Sequence, residues 1–230
     1  VNELGESEKS NEACETPPAN FTVEIGAGAT SSSCWVPFCD YYGHFMSQQI
    51  YTQDEIGNAG TINSVSFKVY SGSTYTRNLE VYMKNIDQDN FSGPSPSFIT
   101  MSTSDKVFDG SVEVGAAGTW YTIDFTTPFN YTGNNIVICV YDKTGTALSN
   151  VYCHKFYTFP ATGRSLYSTG SNAYNITSLP YGYPRSFVNQ IKFDGKYPSP
   201  YVDISAESID LGTVRLGEDF FTEKPFEPVE

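Results

Sequence analysis

The chain has 230 residues, of which 17% are charged and 15% are aromatic, and it contains 19 glycines and 13 prolines. This composition is typical of many short strands joined by turns, and no apolar run approaches the ~20 residues that a membrane-spanning helix needs. The net charge of −13 lies mainly in residues 1–15 and 201–230, so it indicates solvated ends and argues against a nucleic-acid partner.

The first predicted element is a polar, acidic tether over residues 1–20, which includes Pro17 and Pro18. A single helical turn is predicted over 52–56, ahead of a glycine corner at Gly57. Seven segments have the alternation or the apolar character of strands, and Asn-, Gly- and Pro-containing breaks separate them. These predicted strands are 61–70, 78–84, 111–114, 120–125, 136–141, 151–157 and 187–193.

The side-chain pattern of three of these strands predicts their surroundings. In 61–70, Val65, Phe67 and Val69 face inward, while in 78–84 the inward residues alternate with the outward residues Glu80, Tyr82 and Lys84. Segment 136–141 is apolar on both faces, so we expect it at the centre of its sheet. Many short strands without intervening helices predict an all-β fold, either a sandwich or a barrel.

The composition of the sequence changes near Pro198. A Pro-rich break begins there, of the kind that joins domains. The predicted domains are therefore a tether at 1–20, a β-sandwich at 21–197 and a linker with an incomplete β segment at 198–230. About 30 residues are too few for a second core. The last segment is either the opening of another β module or a tail that pairs with a partner.

Five cysteines, at positions 14, 34, 39, 139 and 153, leave at least one thiol outside any intrachain pair. Cys34 and Cys39 are a candidate disulfide that would close a small loop around Trp35, which the chain-entropy model values at roughly 2 kcal/mol. Cys139 lies within the apolar run and fits a buried position. There is no CxxC pair, so the sequence does not support a zinc knuckle.

Ten short motifs follow one another along the chain, at 25–26, 36–38, 41–42, 47–51, 55–57, 60–67, 77–82, 106–110, 120–123 and 189–192. This ordered set resembles the jelly-roll adhesin domains of Bacteroidetes cell-surface proteins, which are related to the cleaved-adhesin domains of gingipains and haemagglutinins and similar to MAM domains. The resemblance covers roughly 21–195 and implies an antiparallel jelly-roll β-sandwich in a secreted or surface-anchored bacterial protein, such as a lipoprotein. It also implies that 198–230 begins an Ig-like module.

Two groups of residues are candidates for ligand binding, because aromatic rings stack on sugars and polar groups at their edges orient the hydroxyls. Alternatively, tyrosines simply fill the rims of a sandwich and cover its edges. The first group lies around the predicted cystine loop and the second in a Pro/Gly loop. The candidates are Trp35, Tyr41 and Tyr42 in the first group, and Tyr181, Tyr183 and Arg185 in the second.

A structural calcium ion is a further possibility, since Asp87, Asp89 and Asn90 place three oxygen-bearing side chains within one turn. The alternative is an ordinary Asp/Asn turn. The two histidines, His44 and His154, stand in no recognisable catalytic motif, so we predict that the chain is not an enzyme. A glycan-degrading enzyme would need two carboxylates that face a sugar.

These observations favour a cell-surface adhesion module that binds glycans or host and matrix glycoproteins. The alternative from another class is a structural spacer or an assembly subunit of a bacterial surface complex, whose partners would be other surface proteins. In that case the tyrosines would be buried in the fold or under a partner chain.

Overall fold

The structure is a computed structural model that describes residues 19–91, 93, 96–148, 154–179 and 181–198. Most of these residues lie in eleven strands, accompanied by one short helix, α1 (Gln53–Ile56), and a 3-10 turn at Thr103–Asp105. The strands are β1 (Asn20–Ile25), β2 (Ser31–Ser33), β3 (His44–Tyr51), β4 (Gly60–Ser71), β5 (Tyr75–Ile86), β6 (Lys106–Val114), β7 (Trp120–Tyr131), β8 (Asn135–Asp142), β9 (Lys155–Gly170), β10 (Tyr183–Asn189) and β11 (Ile191–Lys196).

The strands form two antiparallel layers that share part of β4. One layer has the order β1-β11-β4-β7, and the other has the order β6-β5-β8-β3-β9-β10, with β2 also paired to β9. The last residues of β4, Val69 and Ser71, pair with the start of β9 and so connect the layers. The predicted all-β sandwich is therefore confirmed.

The main core lies between the two layers. Val65, Phe67 and Val69 of β4 are fully buried there, and so are Leu79 and Val81 of β5. These are the inward positions that the alternation predicts. Burying side chains of this size stabilises the fold by about 1.5–3 kcal/mol each.

A second apolar cluster covers the outer face of the larger layer. Met46, Ile50, Val137 and Cys139 project from the strands, and Phe98 packs onto them from the connection between β5 and β6. This second cover explains why β8 is apolar on both faces. β8 pairs with β3 on one side and β5 on the other, so its predicted central position is confirmed.

The second apolar cluster also contradicts the outward orientation predicted for Tyr82. Tyr82 belongs to the outward face of β5, but it is buried in the second cluster, because the β5–β6 connection folds over that face. Its hydroxyl donates a hydrogen bond to the carboxylate of Glu80. A polar end and an apolar body suit a tyrosine at such a boundary.

Helix α1 occupies the predicted helical turn. Thr52 is its N-cap, and Glu55 accepts a hydrogen bond from the Thr52 backbone N–H at 2.9 Å, which completes a capping box. Gly57 ends the helix with a φ of +90°, a left-handed value that favours glycine.

Parts of the predicted organisation lie outside the described residues. These parts are almost all of the tether at 1–20 and, apart from Pro198, the segment at 198–230. Of the predicted strand 151–157, residues 151–153 are also outside. No helix of the part that is described is long and apolar enough to cross a membrane.

Candidate functional site

The first group of predicted site residues lies in the connection between β2 and β3, where hydrogen bonds to the main chain hold the loop in place. The buried Asn189 donates from Nδ2 to the Val36 carbonyl at 3.2 Å, and Ser47 donates to the Pro37 carbonyl. At the other end of the loop, the Arg77 guanidinium donates to the Tyr42 carbonyl at 3.2 Å. The aromatic side chains of this loop therefore stand on a fixed backbone.

The second group lies mostly on an edge strand rather than in a loop. Tyr183 and Arg185 belong to β10, which pairs with β9, and Tyr181 precedes it in an isolated bridge to Ser97. The sequence predicted a Pro/Gly loop here, and that interpretation is wrong. Tyr183 pairs directly with Tyr167 of β9, so these two side chains project from the same face of the sheet.

Tyr167 connects the two predicted groups through ring contacts. Its ring centroid lies 4.7 Å from that of Trp35 and 5.4 Å from that of Tyr183. At the two ends, the rings of Tyr41 and Tyr42 are 5.2 Å apart, and those of Tyr181 and Tyr183 are 5.4 Å apart. We call this row of side chains the aromatic strip: Tyr41, Tyr42, Trp35, Tyr167, Tyr183, Tyr181 and Arg185.

Arg185 stands in the middle of the aromatic strip. Its guanidinium carbon lies 5.0 Å from the ring centroid of Trp35 and 4.6 Å from that of Tyr167, within the range of cation–π attraction. Nη2 donates a hydrogen bond to the Tyr167 hydroxyl at 2.8 Å. Burial raises the pKa of Tyr167, while the charge of Arg185 opposes that rise.

The ends of the strip are open to solvent and its centre is not. Tyr41, Tyr181 and Tyr183 are 42%, 48% and 52% exposed, whereas Tyr167 is buried and Trp35 is half-buried against the main core. The sequence left open whether the tyrosines are exposed platforms or structural filling. The structure shows both kinds: Tyr167 is part of the packing, whereas Tyr41, Tyr181 and Tyr183 are exposed.

An open depression of about 410 Å³ adjoins the strip beside Trp35 and Arg185. Ser32, Ser33 and Cys34 form one wall, and Lys155 of β9 forms another. Hydrogen bonding with the Cys39 thiol lowers the pKa of Cys34 to about 7, and the charge of Lys155 contributes to this shift. The pKa of Cys39 is raised by the same hydrogen bond and by its burial.

Cys34 and Cys39 are both free thiols in this structure. Their side chains share a hydrogen bond, and the pairing of the two cysteines in a disulfide stays a prediction. Cys139 is also a free thiol and is fully buried, and burial raises its pKa to about 12. The two remaining cysteines lie outside the described residues.

The predicted calcium ligands lie in the turn after β5, away from the aromatic strip. Asp87 accepts a hydrogen bond from the side-chain amide of Asn134 at 3.3 Å, and Asp89 accepts one from Asn90 at 2.6 Å. In the part of the chain that is described, no group of three or more His, Cys, Asp and Glu side chains could hold a metal ion. Calcium coordination by Asp87, Asp89 and Asn90 stays a prediction.

The two histidines pack on aromatic rings that do not belong to the aromatic strip: His44 on Tyr141, and His154 on Tyr75 and Phe156. His154 is fully buried, and its Nδ1 lies 2.9 Å from a carboxylate oxygen of Asp40, which also accepts a hydrogen bond from the His154 backbone N–H. His44 Nδ1 lies 3.0 Å from the Tyr141 hydroxyl. In the described residues, neither histidine forms a hydrogen bond with a cysteine.

No protein-family model matches the chain, and no curated protein matches it. A structure of the clostridial cysteine protease Cwp84 after propeptide cleavage is 13% identical, with a TM-score of 0.46, over 78% of this chain and 40% of that one. A structure of the cysteine protease and lectin-like domains of Cwp84, a surface layer associated protein of Clostridium difficile, is 14% identical, with a TM-score of 0.40, over 68% of this chain and 32% of that one. This chain thus spans less than half the length of either structure.

One prediction needs correction at this point. The statement that the chain is not an enzyme is wrong as a firm exclusion, because the solved structures that match it come from a cysteine protease. The similarity is too low to establish an activity, so enzymatic activity is neither assigned nor excluded.

Proposed function

We propose that this chain is a glycan-binding module of a bacterial cell surface and that the aromatic strip is its binding face. The observation that carries the proposal is a row of ring contacts with exposed tyrosines at both ends, Tyr41 at one and Tyr183 and Tyr181 at the other. Arg185 lies against the two central rings, Trp35 and Tyr167. Aromatic faces stack on the apolar faces of sugar rings, and a fixed cation supplies hydrogen-bond donors for the polar groups at the ring edges.

The architecture of the strip supports this proposal. Sugar binding requires rings that keep their orientation when water is displaced, since ordering a loose side chain costs affinity. Tyr183 packs against the buried Tyr167, which packs in turn against the half-buried Trp35. Two paired strands carry Tyr167 and Tyr183. The strip thus combines exposed rings with a rigid base.

We also propose that the chain belongs to the jelly-roll adhesins of Bacteroidetes cell-surface proteins, which would place it outside the cell. The ordered motifs described above support this assignment, and so does the all-β sandwich that carries them. On a bacterial cell surface, the ligands of such a module would be host or dietary glycans or matrix glycoproteins. Affinity from two or three rings is modest, so we expect avidity across several modules to matter.

The test is a binding screen of the full chain on arrays of glycans and matrix glycoproteins, followed by calorimetry on the hits. Tyr181→Ala and Tyr183→Ala should each weaken binding about two- to tenfold, because a stacked aromatic pair contributes roughly 0.5–1.5 kcal/mol beyond its buried area. The matched control is Tyr197→Ala, an exposed tyrosine whose ring packs on Phe21.

A variant that keeps its melting temperature and its affinity would remove that tyrosine from the binding face. Equal losses in Tyr197→Ala would show that binding does not depend on the strip. No binding on any array would favour the alternative of a spacer or assembly subunit, and a search for a protein partner would then follow.

A further inference from the structure

Two cations border the depression beside the aromatic strip, although the protein carries a net charge of −13. Neither Arg185 nor Lys155 forms a salt bridge with a described carboxylate. Elsewhere in the described part of the chain, Lys106, Lys143 and Arg164 pair with acidic side chains. Within the described ranges, the depression therefore presents positive charge that no carboxylate pairs with.

The guanidinium of Arg185 has donors to spare. Its Nη2 serves the Tyr167 hydroxyl, but its Nε is buried and has no hydrogen-bond partner. A buried donor without a partner is unfavourable, so it marks a position where a ligand atom or a water is expected. Because the rings of Trp35 and Tyr167 hold the guanidinium, its orientation is already set.

Lys155 and the serines of β2 complete the surroundings. Lys155 is exposed at the start of β9, and its charge is close enough to Cys34 to lower the pKa of that thiol. Ser32 and Ser33 line the same depression. Ser33 accepts a hydrogen bond from the Trp35 backbone N–H, which leaves its own hydroxyl proton available to donate.

We infer that this depression binds the anionic group, a carboxylate or a sulfate, of an acidic saccharide whose ring lies on the aromatic strip. The inference rests on the proposed function and narrows its ligand class. The planar fork of Arg185 matches two oxygens of a carboxylate or sulfate, and Lys155 adds a mobile charge. An acidic sugar that approaches this acidic protein meets attraction at this point.

The experiment titrates the full chain with three chondroitin oligosaccharides of equal length: the unsulfated form, its carboxyl-reduced neutral form and the sulfated form. The unsulfated form should bind at least about tenfold more tightly than the neutral form, since hydrogen bonds to charged groups contribute that much. The preference should shrink as salt is raised.

Two variants locate the effect. Arg185→Gln should lose the preference for the charged form, and Lys155→Gln should reduce it about two- to fivefold, as expected for an exposed cation. Lys155→Gln changes an exposed side chain, so it serves even if Arg185→Gln does not fold. Lys196→Gln makes the same charge change at an exposed lysine at the end of β11 and should leave the preference intact.

The outcomes separate the two proposals. Preference for the sulfated form alone would support the anion site with sulfate as its ligand group. Equal binding of neutral and charged forms, or a preference that survives both substitutions, would overturn the anion site and leave the glycan-binding function standing. Failure of all three sugars, together with empty arrays, would overturn both.

Discussion

Replacing Arg77 with methionine should destabilise the protein by about 3–5 kcal/mol at neutral pH, the range seen when one partner of a buried ion pair is removed. Arg77 and Asp142 are 1% and 0% exposed, and Arg77 Nε donates to Asp142 Oδ2 at 2.7 Å. Arg77 also donates to the carbonyls of Thr146, at 2.9 Å, and Tyr42. The substitution leaves a buried carboxylate and two carbonyls without this donor.

The pH dependence follows from the pKa of Asp142. Burial raises this pKa above its ordinary value, and Arg77 opposes the rise, so methionine should move it further upward. A raised carboxyl pKa contributes stability that is present below the unfolded pKa and is lost as pH rises through the folded one. The deficit of the variant should therefore be larger at neutral pH than near pH 4, where only the lost hydrogen bonds to carbonyls remain.

Urea unfolding of the wild type and the variant at both pH values measures this deficit. The double variant Arg77→Met, Asp142→Leu should recover about 1–3 kcal/mol, since no charge then stays buried alone. Lys143→Gln is the control, because Lys143 pairs with Glu80 and Asp109 at the surface and should cost less than about 1 kcal/mol. A deficit below that of Lys143→Gln, or one independent of pH, would refute the reasoning.

Two further predictions concern the thiols and the turn after β5. Cys34, with a pKa of about 7, should be half thiolate at pH 7, and its alkylation rate should rise steeply between pH 6 and pH 8. Mass spectrometry of the labelled peptides should show the buried Cys139 as unreactive, and a rate that rises only above pH 8 would contradict the lowered pKa. The same spectra of unreduced protein test the predicted Cys34–Cys39 disulfide. Calcium should raise the melting temperature, and the raised value should be lost in Asp87→Asn and Asp89→Asn; equal melting in calcium and chelator would retire that site.

The sequence was most informative where the residues of a strand themselves show which of its faces are apolar. The alternation of Val65, Phe67 and Val69 placed β4 correctly, and the apolar run of β8 placed it at the centre of its sheet. In both cases the burial pattern is local, so it can be read from neighbouring residues. The outward position predicted for Tyr82 was wrong, because the β5–β6 connection covers that face of β5.

β9 is a strand whose full length the local sequence pattern does not predict. Only its beginning was predicted, because Pro160, Gly163 and a run of polar residues resemble a loop. The polar side chains are satisfied by distant partners: Arg164 donates to the Ile50 carbonyl at 3.0 Å, and the buried Ser165 donates to the Phe187 carbonyl. Such pairings make a polar strand stable in the interior, and they become visible only once the fold is known.

The candidate site was predicted in two pieces for the same reason. Trp35 and Arg185 were each identified from local aromatic and Pro/Gly patterns, but they are 150 positions apart in the chain. Tyr167, which joins them, gave no signal, because its role depends on the pairing of β9 with β10. Lys155 was missed because the depression that it lines is formed by three separate segments.

The part of the strip on β10 lies at a sheet edge, and we take this position as support for the proposed binding face. β10 pairs with β9 alone among the described strands, and Pro184 lacks the N–H that a further strand would need. Tyr181 and Tyr183 leave about half of their surface in water, so the fold gains little from them. The Tyr183 ring nevertheless packs against the buried Tyr167, and the Tyr181 ring packs against Tyr183. Arg185, which lies over the Tyr167 ring, keeps a donor unused. A buried guanidinium N–H without a partner is unfavourable, and the proposed saccharide would supply that partner with a polar group at its edge.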